Sequence, residues 1–182
     1  PIAYWVSDRV KEIFEKSEKL GEVGDAKTGL QTGNTVKYLR NWNELNNIEL
    51  DLSLNIDSCL KSNKKWFPYN KGGEFRKWYG NYDNVVNWKN NGEEIKKDPG
   101  SRLNIMANKE NHFKSGITWN LISSTNFGVR LVEEGMLCDV ASAVIFMNQD
   151  LFSYTLSLLN AKFLKNFVSL LNPTINFSTG VI

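Results

Sequence analysis

Histidine occurs once in these 182 residues and cysteine twice, and those shortages remove several chemistries at the outset. Cys59 and Cys138 lie far apart without CxxC spacing. With His112 they make neither a zinc site of the usual kind nor a disulfide framework. A reducing, cytoplasmic setting is the expectation. A lone histidine without a GxSxG motif leaves no serine triad, and His112, in the polar segment NKENHFKSG, reads as a surface residue. Asp98 and Glu110 are too isolated to join a lysine in a nuclease trio. Glu93-Glu94 and Glu133-Glu134 are adjacent pairs that diverge into solvent. Gly24 and Gly29 have the separation of a phosphate loop, but Leu30 and Gln31 stand where Lys and Ser or Thr would reach phosphate and magnesium. GDAKTGLQTGN is therefore read as a structural loop of tight turns. Neither a catalytic constellation nor a metal site is expected. Long apolar runs are also missing. The longest, VASAVIFM at 140–147, is too short to cross a bilayer, so no membrane partner is expected. PIAYWVSDRV lacks the regions of a signal peptide. Asn176-Phe177-Ser178 fits a glycosylation acceptor, with nothing beside it to suggest secretion. With no initiating Met and an abrupt NFSTGVI end, the chain reads as a piece of something longer.

What is present is ordinary in bulk. Hydrophobic residues make 41% and charged residues 23%, the balance of one globular domain. Ser7 is placed as the cap of a helix reaching about Leu20, with Val10, Ile13 and Phe14 on one face and Gly21 as the stop. TVKYLRNWNEL holds a helical turn capped near Asn34, and residues 44–63 show little periodicity. NVVNW reads as a strand, and Asn91-Gly92 as a turn before a short helix. DPGSRLNIMANKENHFKSG reads as loop. ITWNLISS, FGVRLVE and MLCDVASAVIF read as strands, the last two joined at Glu134-Gly135. DLFSYTLSLLN and AKFLKNFVSLL read as helices, with Asn160 capping the second and Asn172-Pro173 ending it. The fold class is α+β: a leading helix over 1–22, an α/β body over 23–148 and a helical pair over 149–182.

One stretch is unusual. In KKWFPYNKGGEFRKWYGNYDNVVNW (64–88), cations alternate with aromatic rings around Gly72-Gly73. Residues 61–77 carry six basic side chains against one acid, on a chain whose net charge is only +2. Cations neutralise phosphates, flat rings stack on bases, and glycines let backbone approach closely. Buried aromatic packing beside a solvated loop is the competing explanation. The candidate DNA contacts are Lys71, Arg76 and Lys77, with Lys64 and Lys65 as weaker backbone contacts. Arg76 is the candidate for base readout, because a guanidinium binds guanine O6 and N7 bidentately. Gly72 and Gly73 are placed at the same face. Asn70 and Asn81 fit either adenine edges or turns, and Tyr69 and Tyr79 fit either packing or phosphate. Ser123, Ser124 and Thr125, at a strand end, are candidate phosphate contacts. Trp78 and Trp119 are assigned to the core.

FPYNKGGEFRKWYGNYDNVVNWKNNGEEIK resembles a signature of large adenine-specific DNA methyltransferases of the PglX type, from BREX phage defence, and of related type IIG restriction-modification enzymes. The resemblance extends to PIAYWVSDRVKEIFE, TGLQTGNTVKYLRNW, KSGITWNLISSTNFGVRLVEEGMLCDVASAVIF and LFSYTLSLLNAKFLKNFVSLLNPTINFSTGVI, in order. It implies the C-terminal target-recognition domain of such an enzyme, similar to the specificity-subunit domains of type I restriction enzymes. Its partners would be double-stranded DNA, the methyltransferase domain of the same polypeptide and further defence-system subunits. S-adenosylmethionine would belong to that missing domain. The family's Phe-x-Gly-x-Gly and Asn-Pro-Pro-Tyr motifs are absent, and Asn172-Pro173-Thr174-Ile175 is only a partial echo. The chain is thus expected to direct methylation without performing it. A carbohydrate- or protein-binding module with tryptophans as a platform is the alternative, disfavoured by the clustered lysines.

Overall fold

The computed structural model describes residues 7–101, 109–123, 126–171 and 174–180. Helix α1 (Asp8–Lys16) is held by ion pairs one turn apart, such as Asp8–Lys11 and Glu12–Lys16, each worth a few tenths of a kcal/mol. The Ser7 side chain makes no capping bond, and the helix stops at Ser17, short of the expected Leu20. Ile13 on it is half exposed. Helix α2 (Leu20–Val23) follows and leads directly into strand β1 (Gly24–Thr28).

That strand corrects the expectation of a loop of tight turns. β1 pairs antiparallel with a late strand, Gly24 opposite Met147 and Thr28 opposite Ala143. Its glycines serve close packing: a Cβ at Gly29 would lie 2.0 Å from the Cys138 carbonyl oxygen. Only a residue without a side chain lets the chain cross there, where Leu30 N–H bonds the Cys138 carbonyl and Val140 N–H bonds that of Leu30.

Helix α3 (Thr35–Tyr38), capped by the Asn34 side chain as expected, leads to β2 (Leu39–Asn41). Residues 44–63 yield one short helix, α4 (Ile56–Lys61), capped by Asn55. β3 (Trp66–Asn70) and β4 (Asn84–Asn87) follow, then α5 (Lys89–Lys97), whose start holds Asn90, Asn91 and Gly92 at positive φ, the expected turn. The remaining strands are β5 (Gly116–Asn120), β6 (Val129–Val132), β7 (Leu137–Cys138) and β8 (Ser142–Met147), and the chain continues into α6 (Phe152–Asn160) and α7 (Lys162–Leu171). Helix α7 ends where expected, while Asn172 and Pro173 lie outside the described residues.

The strands form two sheets of four, in the orders β1-β8-β5-β6 and β2-β4-β3-β7, and the fold is mixed α+β. MLCDVASAVIF, expected as one strand, is split: β7 pairs parallel with β3 in the second sheet, and β8 lies inside the first. One face of the first sheet (Ile117, Trp119, Val129, Ala143, Ile145) packs on Leu159, Val168 and Phe177. A second core gathers Tyr38, Phe67, Tyr69, Val86, Trp88, Ile95 and Phe113 around the other sheet. Asn160 is not a cap. Its side chain accepts from Val129 N–H at 3.1 Å and donates to the Val129 carbonyl at 2.9 Å, stitching α6 to β6.

Candidate nucleic-acid interface

The basic-aromatic stretch divides at Asn70. Up to that point it is core: Trp66, Phe67 and Tyr69 are buried in β3. The Tyr69 hydroxyl donates to Asp139 at 2.8 Å and to the Leu30 carbonyl at 3.1 Å. Burial first, and then the Asp139 carboxylate, push the Tyr69 hydroxyl well above its ordinary pKa, so it remains a donor. Tyr69 is therefore structural.

Beyond Asn70 the chain leaves the sheet as a strap that crosses to the other sheet and returns through β4. Gly72 and Gly73 turn it at φ 65° and 145°. The Asn120 amide donates to the Gly73 carbonyl at 2.7 Å. Trp78 then acts as a one-residue parallel strand on the edge of β6: its N–H bonds the Val129 carbonyl and its carbonyl takes the Leu131 N–H, both at 2.9 Å. Tyr82 donates to the Leu131 carbonyl. The strap is thus fastened by the Trp78 backbone in its middle and by the Asn120 and Tyr82 side chains on either side, which leaves the Arg76, Trp78 and Tyr79 side chains to project.

Trp78 is the clearest departure from expectation. It was assigned to the core, but its ring is 49% exposed. The reason is local, because the backbone sits at φ 70° to reach β6. Trp119, by contrast, is buried with its indole N–H on the Phe177 carbonyl at 2.8 Å. Tyr79 is exposed and stands edge-on to Tyr82 at 4.6 Å. Arg76 is exposed, its stem lying over Gly80, where a Cβ would come within 2.8 Å of its Cδ. Lys71, Gly72, Gly73, Arg76 and Asn81 line an open depression of about 700 Å³. Glu74 and Asp83 stand in the same lining, so the strap combines two cations, two carboxylates and the exposed rings of Trp78 and Tyr79, of which the cations and rings suit a polyanion with stackable bases.

Several other candidates are held elsewhere. Lys77 Nζ donates to the Asn160 carbonyl at 2.7 Å, a cation on the C-terminal end of α6; it tethers the strap. Asn70 is fully buried, and Asn81 uses its amide to bond the Glu74 carbonyl at 3.1 Å, satisfying the strap's own turn. Lys64 Nζ bonds the Ile48 carbonyl, and Lys65 lies over the Trp66 ring at 5.3 Å. Both sit at the far end of β3, about 20 Å from Lys71 along an extended strand. Ser123 donates to the Asn126 carbonyl, while Ser124 and Thr125 lie outside the described residues. His112 is half-buried, its ring edge-on to Trp88 at 5.0 Å, and so is not the surface residue expected.

The sequence reading missed the other face of the first sheet. Register places Thr118, Asn120, Arg130 and Ser142 together there, all buried under the strap. Alternating polar residues in a strand ordinarily signal a solvated face, so nothing local marked these for burial. Among the described residues no cluster of His, Cys, Asp or Glu is arranged to hold a metal, and no helix is long and apolar enough to cross a membrane. A half-open cleft beside Thr28, His112 and Cys138 measures about 30 Å³, room for a water.

No family model matches the chain. It is 37% identical over 188 residues to the adenine-specific methyltransferase PglX of Lacticaseibacillus casei (strain Zhang), an alignment covering 100% of this chain and 16% of that protein. It is also 37% identical over 185 residues to the adenine-specific methyltransferase BrxX of Escherichia coli O9:H4 (strain HS), covering 99% of this chain and 14% of that one. The resemblance read from the motifs thus holds along the whole chain, which spans about a sixth of the length of these relatives and is homologous to one segment of them.

Proposed function

We propose that this chain, homologous throughout to a segment of adenine-specific methyltransferases, is the DNA sequence-recognition part of a larger enzyme of that kind acting in phage defence or restriction-modification. The strap carries the reading: Arg76, Trp78 and Tyr79 project from a loop that runs out of the second sheet and is fastened to β5 and β6 of the first. A reader needs such rigidity, because discrimination between base pairs depends on donors held in fixed positions. In this reading Arg76 contacts a base edge and Lys71 a phosphate, while Trp78 and Tyr79 stack or wedge. Residues 23–148 form the reading body, and the helices over 149–182 seat it on the methyltransferase domain. The sequence argues against S-adenosylmethionine here, since it holds neither the Phe-x-Gly-x-Gly nor the Asn-Pro-Pro-Tyr motif; the cofactor is assigned to the remainder of the enzyme. A saccharide platform would use the same rings with the carboxylates and amides of the depression (Glu74, Asp83, Asn41, Asn81 and Asn84), and the cations Lys71 and Arg76 favour DNA over it.

Fluorescence anisotropy of the 182-residue chain with duplex DNA tests this. Weak binding that falls steeply from low to physiological salt is expected. An affinity unchanged across that range contradicts a phosphate-driven face, and saturable micromolar binding of S-adenosylmethionine contradicts the division of labour.

A further inference from the structure

The strap covers a charge that the fold does not neutralise. Arg130 is fully buried on β6, and a guanidinium stays protonated at any physiological pH. Its Nη2 donates to Asn120 Oδ1 at 2.9 Å, while Nε and Nη1 have no protein partner. Among the described residues no carboxylate pairs with it. Burial lowers its pKa, and the groups that act on it electrostatically are Tyr82, Cys138 and Arg76, none of them a carboxylate. Two more buried polar atoms nearby also lack partners, Asn70 Nδ2 and Ser142 Oγ. Asn70, Ser142 and Asn120, the residue that holds Arg130, meet around Gly72. A Cβ there would lie 3.1 Å from Ser142 Oγ and 3.5 Å from the Asn120 oxygen that holds Arg130, and Gly72 N–H bonds the Asn70 side chain at 3.4 Å.

Water can fill hydrogen bonds at such a place but brings no charge, and an unpaired cation in a dry interior is strongly disfavoured. We infer that Arg130, with Asn70 and Ser142 beneath the Gly72-Gly73 turn, forms a site for a single phosphate-type oxyanion. A guanidinium grips two oxygens of one phosphate along its Nε–Nη2 or its Nη1–Nη2 edge, and since Asn120 takes only one of the two Nη2 hydrogens, one of these forks stays complete. The Asn70 amide and the Ser142 hydroxyl add further donors, and the turn above them is two glycines, which place no side chain over the site. The open depression reaches the Gly72-Gly73 turn from outside, and Lys71 and Arg76 stand in its lining beside Glu74 and Asp83. This inference rests on the DNA reading only for the source of the phosphate, a backbone phosphodiester as against free inorganic phosphate.

The test is to titrate the 182-residue chain with inorganic phosphate at constant ionic strength, following the Arg130 Nε–Hε signal by NMR with a thermal melt alongside. A saturable shift of that signal and a raised Tm are expected, both lost in Arg130→Met. Asn120→Asp places a carboxylate on the atom that already touches Arg130, so it too must lose the phosphate response, and it serves if Arg130→Met does not fold. Duplex DNA that displaces phosphate from Arg130 identifies the source as the DNA backbone; DNA that leaves the signal unmoved identifies a free anion. If the Arg130 signal moves with neither phosphate nor DNA, or if the phosphate response survives both substitutions, the site is overturned even where the strap still binds DNA. A phosphate response in a chain that binds no duplex leaves the site standing and sinks the recognition function.

Discussion

Removing the Trp78 and Trp119 rings one at a time separates a reading surface from a core. Trp119 is 1% exposed and hydrogen-bonded to the Phe177 carbonyl, so Trp119→Ala is expected to cost about 3–5 kcal/mol, the range for a buried aromatic. Trp78 is 49% exposed. A fully buried aromatic hides about 150–250 Å², so about 100 Å² is at stake, worth at most about 2.5 kcal/mol. The backbone bonds of Trp78 to Val129 and Leu131 survive the substitution, which brings the expected loss to about 1–2 kcal/mol. At φ 70° glycine is preferred over alanine by about 1 kcal/mol, so Trp78→Gly should be the more stable of the two variants. Urea melts with an unchanged slope give the stabilities, and anisotropy with duplex DNA gives the binding. Trp78→Ala is expected to weaken DNA binding by about 1–3 kcal/mol where the ring stacks on a base. A stability loss matching Trp119→Ala would show that the Trp78 ring is core, and unchanged DNA affinity would show that the strap does not read.

Lys77 and Arg76 should part company. Lys77→Met is expected to cost about 1 kcal/mol of stability through the lost Asn160 bond and to leave the salt dependence of DNA binding intact, whereas Arg76→Ala should relax discrimination at one base position by about 1–3 kcal/mol. Methylation-site sequencing with the full enzyme reads the second effect; loss of the whole site preference in Lys77→Met would contradict the tether. Asn160→Leu strands the Val129 N–H, while the Val129 carbonyl keeps its bond from Trp78, and should destabilise by about 1–3 kcal/mol in a urea melt, while a neutral result would deny the stitch. Burial and then Asp51 push the Cys59 thiol up to about 11, and burial and then Asp139 push Cys138 to about 12. Both should therefore resist thiol reagents at about pH 8 until urea is added. Their folded pKa values lie above the unfolded value of about 8.5, so stability should fall as pH rises above that value, and native-state labelling of Cys59 would refute its burial.

Local pattern marked out what depends on local physics. The strands at 84–87, 116–120 and 129–132 and the paired helices over 152–171 follow from alternation or helical periodicity that a short window contains. Ordered motifs across the chain carried the resemblance to the methyltransferases, because homology is stored in sequence. Tyr69, Asn70 and Tyr79 could not be sorted that way, since a ring or an amide suits either side of a surface. The glycine-rich stretch at 24–29 failed for the opposite reason: its glycines serve contacts with Ile145 and Cys138, residues more than a hundred positions away.

The sequence by itself determined the α+β class, the composition of the basic-aromatic stretch and the kinship with adenine-specific methyltransferases, all of which reside in residue order and spacing. Tertiary structure alone decided which of those residues face outward. The strap must bond β6 to close the gap between the sheets, and that demand sets Trp78 at positive φ with its ring in solvent and commits Lys77 to the end of α6. The same closure buries Arg130 without a counter-charge. Burial is a property of what lies across from a residue, and for this strap the facing surface comes from strands about 50 residues further along the chain.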